Sequence, residues 1–232
     1  MSSGRHPLYL LINASNNGPG DVRWVSDSLI SALSFVRTDI GSLEHLSVEV
    51  ISFGESAEVA FPFNDAEFLE PLIISPSSSA NLDAAFRILA ERHKVRRKDT
   101  EIARIRDSAH CVILVIGNPP SGDYSEAFQR FKERRYASKF VVINCQIAPE
   151  VRCLLTDCGF KVIDSWSMAS GSTDVLAKLF CMHANLPRSY LCSEGVYQQE
   201  WDVDALLNST DGDDGYIRHL KGCLSKMIPD RL

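Results

Sequence analysis

Long apolar runs are missing from this 232-residue chain. Its most hydrophobic stretches, Leu8–Ile12 and Cys111–Gly117, fall far short of the roughly 18–20 residues that cross a bilayer, so no transmembrane helix is expected. Met1–Pro7 is polar and has neither the apolar centre nor the small-residue cleavage site of a secretory signal, and the expectation is a cytoplasmic protein. Cys-x-x-Cys is also missing. The seven cysteines, at 111, 145, 153, 158, 181, 192 and 223, read as reduced thiols in such a compartment. Cys153, Cys158, Cys181 and His183 form the one cluster worth testing as metal ligands, and their spacing matches no common zinc pattern.

Catalytic signatures are equally scarce. G-x-S-x-G, the P-loop and G-x-G-x-x-G do not occur, which removes the commonest hydrolase, nucleoside-triphosphatase and dinucleotide sites. The six histidines are scattered and no nucleophile, base and acid can be assembled from the loops, so no enzyme is expected. Asp211–Gly215 lacks the register and distal glutamate of a calcium loop and reads as a solvated turn. A global excess of positive charge is lacking too. The net charge of -6 argues against a nucleic-acid binder.

What the chain does have is a hydrophobic fraction of 45%, enough for one well-buried core, and a charge asymmetry. Residues 1–86 carry 11 acidic and 3 basic groups, and residues 87–139 carry 7 and 13. Strand-like runs at Leu8–Ile12, Leu46–Phe53, Glu58–Phe61, Cys111–Gly117, Phe140–Asn144 and Lys161–Asp164 alternate with helix-like runs. Those helical runs are Asp21–Thr38, Leu82–Ala90, Ser125–Ala137, Pro149–Cys158 and Thr173–His183. His93–Arg106 is basic and reads either as helix or as a partly mobile connection. The rhythm predicts an α/β fold, a doubly wound, Rossmann-like three-layer sandwich. Its central sheet is mostly parallel, with one antiparallel edge strand formed by the hairpin around Gly54. The alternation stops at Pro187, giving a domain at 1–186 and a partly helical extension at 187–232 with possible helices near Asp202–Leu207 and Tyr216–Met227.

In such a sheet, ligands bind beyond the carboxyl ends of the strands, here at the loops Asn13–Gly20, Ser75–Asn81 and Asn118–Asp123. The run from Tyr9 to Asp39, YLLINASNNGPGDVRWVSDSLISALSFVRTD, resembles the start of a von Willebrand factor type A domain of the bacterial TerY-like cytoplasmic branch. LSVEVISFGESAEVAFPF, SSSANLDAAFRILAERHKVRR and CVILVIGNPPSGDY follow in that family's order, so the resemblance covers about residues 7–186. It implies a metal-ion-dependent adhesion site: a D-x-S-x-S loop, a threonine, and an aspartate after the central strand, together holding magnesium. In this chain the first loop is Asn13-Ala14-Ser15-Asn16-Asn17, the threonine position falls on Ala80 beside Ser79, and the later aspartate falls on Asn118. The site is degenerate. Neutral asparagines cannot offset a dication, so no cofactor is expected, although Asp21 or Asp123 lies near enough in sequence to assist a magnesium ion.

Two readings of the cluster Asn13, Ser15, Asn17, Ser79, Asn118 and Asp123 stand side by side. It is a polar rim used for a protein partner, or a set of side chains that satisfy loop backbone groups. The basic residues Arg96 and Arg97 on one helix, with Arg134 and Arg135 on the next, form a patch for an acidic partner or two solvated helix faces. The resemblance implies a non-catalytic protein-interaction module in a tellurite-resistance or related stress-response system. Its partners there are a protein kinase and a metal-dependent serine/threonine phosphatase. The alternative is a magnesium-dependent binder whose metal shell is completed by a partner's carboxylate.

Overall fold

The computed structural model describes residues 5–15, 30, 46–65, 74–103, 110–116, 120–121, 125–132, 138–143, 147–164 and 179. The chain divides into two compact units, Met1–Cys192 and Ser193–Leu232, and every described residue lies in the first.

Six strands form one sheet: β1 (His6–Asn13), β2 (Leu46–Phe53), β3 (Ala57–Asp65), β4 (Cys111–Ile116), β5 (Ser138–Ile143) and β6 (Lys161–Asp164). Their order is β3-β2-β1-β4-β5-β6. Every pairing is parallel except β2 with β3, which gives the expected mostly parallel sheet with one antiparallel edge strand. Strands β1, β2 and β4 are buried along their whole length, as parallel strands covered on both faces must be.

Three helices are described: α1 (Leu82–Ala103), α2 (Ser125–Lys132) and α3 (Pro149–Asp157). Leu82, Phe86 and Leu89 of α1, Phe128 and Phe131 of α2, and Val151 and Leu155 of α3 join Tyr9, Leu11, Ile51, Phe53, Val112 and Leu114 in one core. Phe86 stacks on Phe131 at 4.8 Å between ring centroids, and Phe131 on Phe160 at 5.2 Å. The opposite sheet face, carrying Leu8, Leu10, Ile12, Val48, Val50 and Ile113, is closed to solvent as well. Both faces are therefore covered, as in a doubly wound α/β sandwich. The helices expected at 21–38 and 173–183 lie outside the described residues except for Ile30, helical and exposed, and Leu179, helical and buried.

Of the two readings of His93–Arg106, the helical one holds as far as Ala103, because α1 continues unbroken for 22 residues from Leu82. Nothing in Glu91–Ala103 breaks a helix, and Arg87–Asp83 and Arg97–Glu101 pair along it. Strand β2 alternates in sequence, yet all eight of its residues are buried, Glu49 included. Glu49 tolerates burial because Arg92 reaches it from α1, with Nε 3.0 Å from both carboxylate oxygens and Nη2 2.7 Å from Oε2.

The same carboxylate closes a gap in the sheet. The β2–β3 register shifts on either side of Val50 and passes over Pro62 and Phe63, forming an irregularity of the kind found on edge strands. There the Phe63 N–H donates to Glu49 Oε2 at 3.3 Å. Tyr9 lies beside Glu49 in register, its ring edge-on to Phe63 at 4.9 Å and 5.7 Å from His110. His93 meets His110 at 4.7 Å.

Candidate functional site: a polar rim at the sheet switch point

The chain leaves β1 toward β2 on one side and later returns to β4 on the other. The carboxyl ends of β1 and β4 thus flank the point where strand order reverses, the place where α/β sheets take ligands. Four described segments converge there: Asn13–Ser15, Phe53–Ser56, Ser75–Asn81 and Ser121.

Main-chain hydrogen bonds hold them together. Ala14 N–H donates to Phe53 O at 2.7 Å, and Ser77 N–H to Ala14 O at 2.8 Å. Asn81 N–H donates to Gly54 O at 2.7 Å, and Ser121 N–H to Ala80 O at 2.8 Å. Two isolated parallel bridges, Ser15 with Ser77 and Asn81 with Ser121, continue the sheet pattern past the named strands. The approach is so close at Gly54 that a Cβ added there would collide with the Cβ and Oγ of Ser77. Only glycine fits.

Side chains finish the rim. Asn13, buried, accepts from the Ser15 N–H through Oδ1 at 2.8 Å, the local turn that asparagine favours. Ser77 Oγ accepts from the Glu55 N–H at 2.9 Å and faces the Ser79 N–H at 3.5 Å. Ser121 Oγ accepts from the Ala80 N–H at 3.3 Å. Asn81 begins α1: its Oδ1 accepts from Ala84 N–H at 3.1 Å, and its Nδ2 donates to Glu55 O at 3.4 Å. That is an N-cap.

The structure thus brings Asn13, Ser15 and Ser79 to one rim, and gives Asn13 Oδ1 and the Ser79 N–H roles in holding the loops. Asn17, Asn118 and Asp123 lie outside the described residues, as do Arg134 and Arg135. Sequence reasoning missed Ser77, Asn81 and Ser121. Asn81 carried a readable signal, a capping residue directly before the apolar run of a helix with Asp83 in its first turn. Ser77 and Ser121 carried none, since they meet Gly54 and Ala80 only through the fold.

Among the described residues, the rim side chains Asn13, Ser15, Ser77 and Ser79 offer neutral oxygens only, whereas a hard dication takes one or two carboxylates; Asp21 and Asp123 lie outside the described residues. Among the described residues no group of three or more His, Cys, Asp and Glu is placed to hold a metal. Glu55 is the one described carboxylate on the rim, and it is exposed. Of the patch residues, Arg97 is exposed, while Arg96 is half-buried with its guanidinium 4.8 Å from the centroid of Phe63. Among the described residues no helix is long and apolar enough to cross a membrane.

No protein-family model matches the chain, and no curated protein matches it. Solved structures do. A von Willebrand factor type A protein from Catenulispora acidiphila is similar at 12% identity and a TM-score of 0.49, over 78% of this chain and 42% of that one. The ArnB paralog VWA2 from Sulfolobus acidocaldarius is similar at 14% and 0.48, over 77% and 46%. The SpRpn10 VWA domain is similar at 13% and 0.49, over 68% and 88%. The chain spans less than half the length of the first two. The likeness concerns the fold alone, and it is to von Willebrand factor type A domains.

Proposed function

We propose that this chain is a non-catalytic protein-interaction module that recognises its partner through the polar rim, without a metal bridge. The observation that carries the reading is the rim itself. It sits at the sheet's switch point, it is fixed by main-chain hydrogen bonds between four segments, and its described inner side chains are uncharged. This edge, with exposed Ser75, Ser78 and Ser121, offers hydroxyl donors and acceptors to a protein surface and, among the described residues, no nucleophile with an activating base.

The partner class and the setting rest on the sequence resemblance to TerY-like proteins. By that resemblance the module scaffolds or regulates a protein kinase and a metal-dependent serine/threonine phosphatase in a bacterial tellurite-resistance or stress-response system, inside the cytoplasm.

The test compares the full chain with Glu55→Arg/Ser78→Arg, two exposed rim positions, as baits in extracts of the native host, with and without EDTA. Proteins retained by the parent in EDTA and lost by the double variant are the expected result. Identical retention by both baits overturns the rim reading. Loss of the same proteins in EDTA would instead favour a magnesium ion shared with a partner's carboxylate.

A further inference from the structure

We propose that the protein surface docking on the rim is basic and sets an arginine against Glu55, an inference that rests on the rim being the contact surface. The switch point fixes the place, and the charge there names the occupant. No lysine, arginine or histidine stands in the four rim segments, Asn13–Ser15, Phe53–Ser56, Ser75–Asn81 and Ser121, or in the loop sequences 16–20 and 117–124 that adjoin them. Glu55 does stand there, exposed, and exposed Glu58 follows it at the start of β3.

The cations of α1 do not offset this charge. The helix leaves the rim at Asn81, and its first cation, Arg87, is already paired with Asp83 at 2.6 Å. Arg92 is turned inward to Glu49. Lys94, the first exposed cation after Arg87, stands thirteen residues beyond Asn81. That is about 20 Å along the helix axis, more than twice the roughly 8 Å over which exposed charges act at physiological salt.

Hydrogen bonding selects arginine among basic groups. The main chain of Glu55 is held on both sides, its N–H donating to Ser77 Oγ at 2.9 Å and its carbonyl accepting from Asn81 Nδ2 at 3.4 Å, so the carboxylate starts from a fixed point. Exposed Ser75, Ser78 and Ser121 add hydroxyl oxygens on the same rim. A guanidinium has five N–H donors and no acceptor. It grips a carboxylate with two of them and has others left for hydroxyls, whereas an ammonium acts as a point charge. A nucleic acid or an acidic peptide fits less well, because its anions would meet Glu55 and Glu58 with no cation in these segments to offset them.

The probe is a short fluorescein-labelled peptide of glycine, serine and arginine, titrated with the full chain in EDTA and followed by anisotropy. Matching peptides carry lysine or glutamate in place of arginine. Saturable binding of the arginine peptide is expected, weakened about tenfold or more by Glu55→Gln/Glu58→Gln and unchanged by Glu91→Gln/Asp99→Asn, which removes the same charge from exposed positions of α1. Circular dichroism checks that both variants fold. Equal weakening by the two variants would report net charge alone and would overturn the proposal. So would the absence of saturable binding, equal binding of the lysine peptide, tighter binding of the glutamate peptide, or binding that needs magnesium in place of EDTA. Host proteins lost by Glu55→Arg/Ser78→Arg but kept by Glu55→Gln/Glu58→Gln would overturn the basic partner and leave the rim reading standing. Identical retention by the parent and Glu55→Arg/Ser78→Arg would overturn both.

Discussion

Arg92 of α1 holds both carboxylate oxygens of the fully buried Glu49 of β2, and that pair ties the long helix to the strand next to the sheet edge. The hydrogen bond to Glu49 also holds the Arg92 guanidinium above its ordinary pKa, so the cation is permanent. Replacing Arg92 by Met strands a carboxylate that already serves the Phe63 N–H. The expected loss is about 3 kcal/mol of unfolding free energy in urea titrations. Glu49→Leu combined with Arg92→Met should recover much of that loss, because no buried charge remains. A double variant as unstable as the single one would show that the carboxylate's bond to Phe63, and not charge compensation, dominates.

Gly54 and Ser77 make a second tight relationship. Gly54→Ala should cost about 1–3 kcal/mol through overpacking, and Ser77→Gly in the same chain should relieve most of it by removing the colliding Cβ. Chemical denaturation of the three variants measures this coupling. Additive losses would mean that the two residues do not meet.

At the start of α1, Asn81→Ala removes the cap of Ala84 N–H and the bond to Glu55 O. A loss of about 1 kcal/mol is expected, with Asn81→Asp close to the parent because aspartate also caps. Thermal melts of the two variants distinguish capping from mere packing, which both would disturb alike.

Magnesium should leave the thermal midpoint of the free protein unchanged. A site holding the ion with a dissociation constant 100-fold below the added concentration would contribute about 2.7 kcal/mol, a shift no melt would miss. An upward shift at millimolar magnesium would refute the metal-free reading of the rim.

Thiol chemistry should separate three cysteines. Cys111 is fully buried, and burial pushes its thiol well above the usual range. Cys158 is buried with its Sγ 3.6 Å from Phe128 O, whereas Cys153 is exposed. Peptide mapping after brief iodoacetamide treatment should find Cys153 labelled and the other two intact until the chain is denatured.

Much of the architecture was legible in the residues. The strands Leu46–Phe53 and Lys161–Asp164 appear with the bounds their apolar runs suggested, and Pro149 opens a helix closed near Gly159, whose φ of 80° suits glycine. Local signals of this kind survive folding unchanged. The length of α1 was not legible, because a charged run looks alike in a solvated helix and in a linker. Burial of Glu49 escaped notice for a related reason: its partner is 43 residues away, and nothing in its own strand announces it. At the rim, the asparagines and serines could be named as candidates. Their tasks could not, since a side chain that faces a partner and one that ends a loop use the same chemical groups, and only their neighbours in space divide the two.

The rim's two isolated bridges and its chain of main-chain bonds have an evolutionary consequence. Its contour is written in backbone atoms, which every residue but proline supplies, and only a few positions, Gly54 among them, are committed to it. Exposed positions such as Ser75 and Ser78 can therefore exchange their side chains with little penalty to folding. The surface chemistry of this edge can thus diversify on a frame that stays constant.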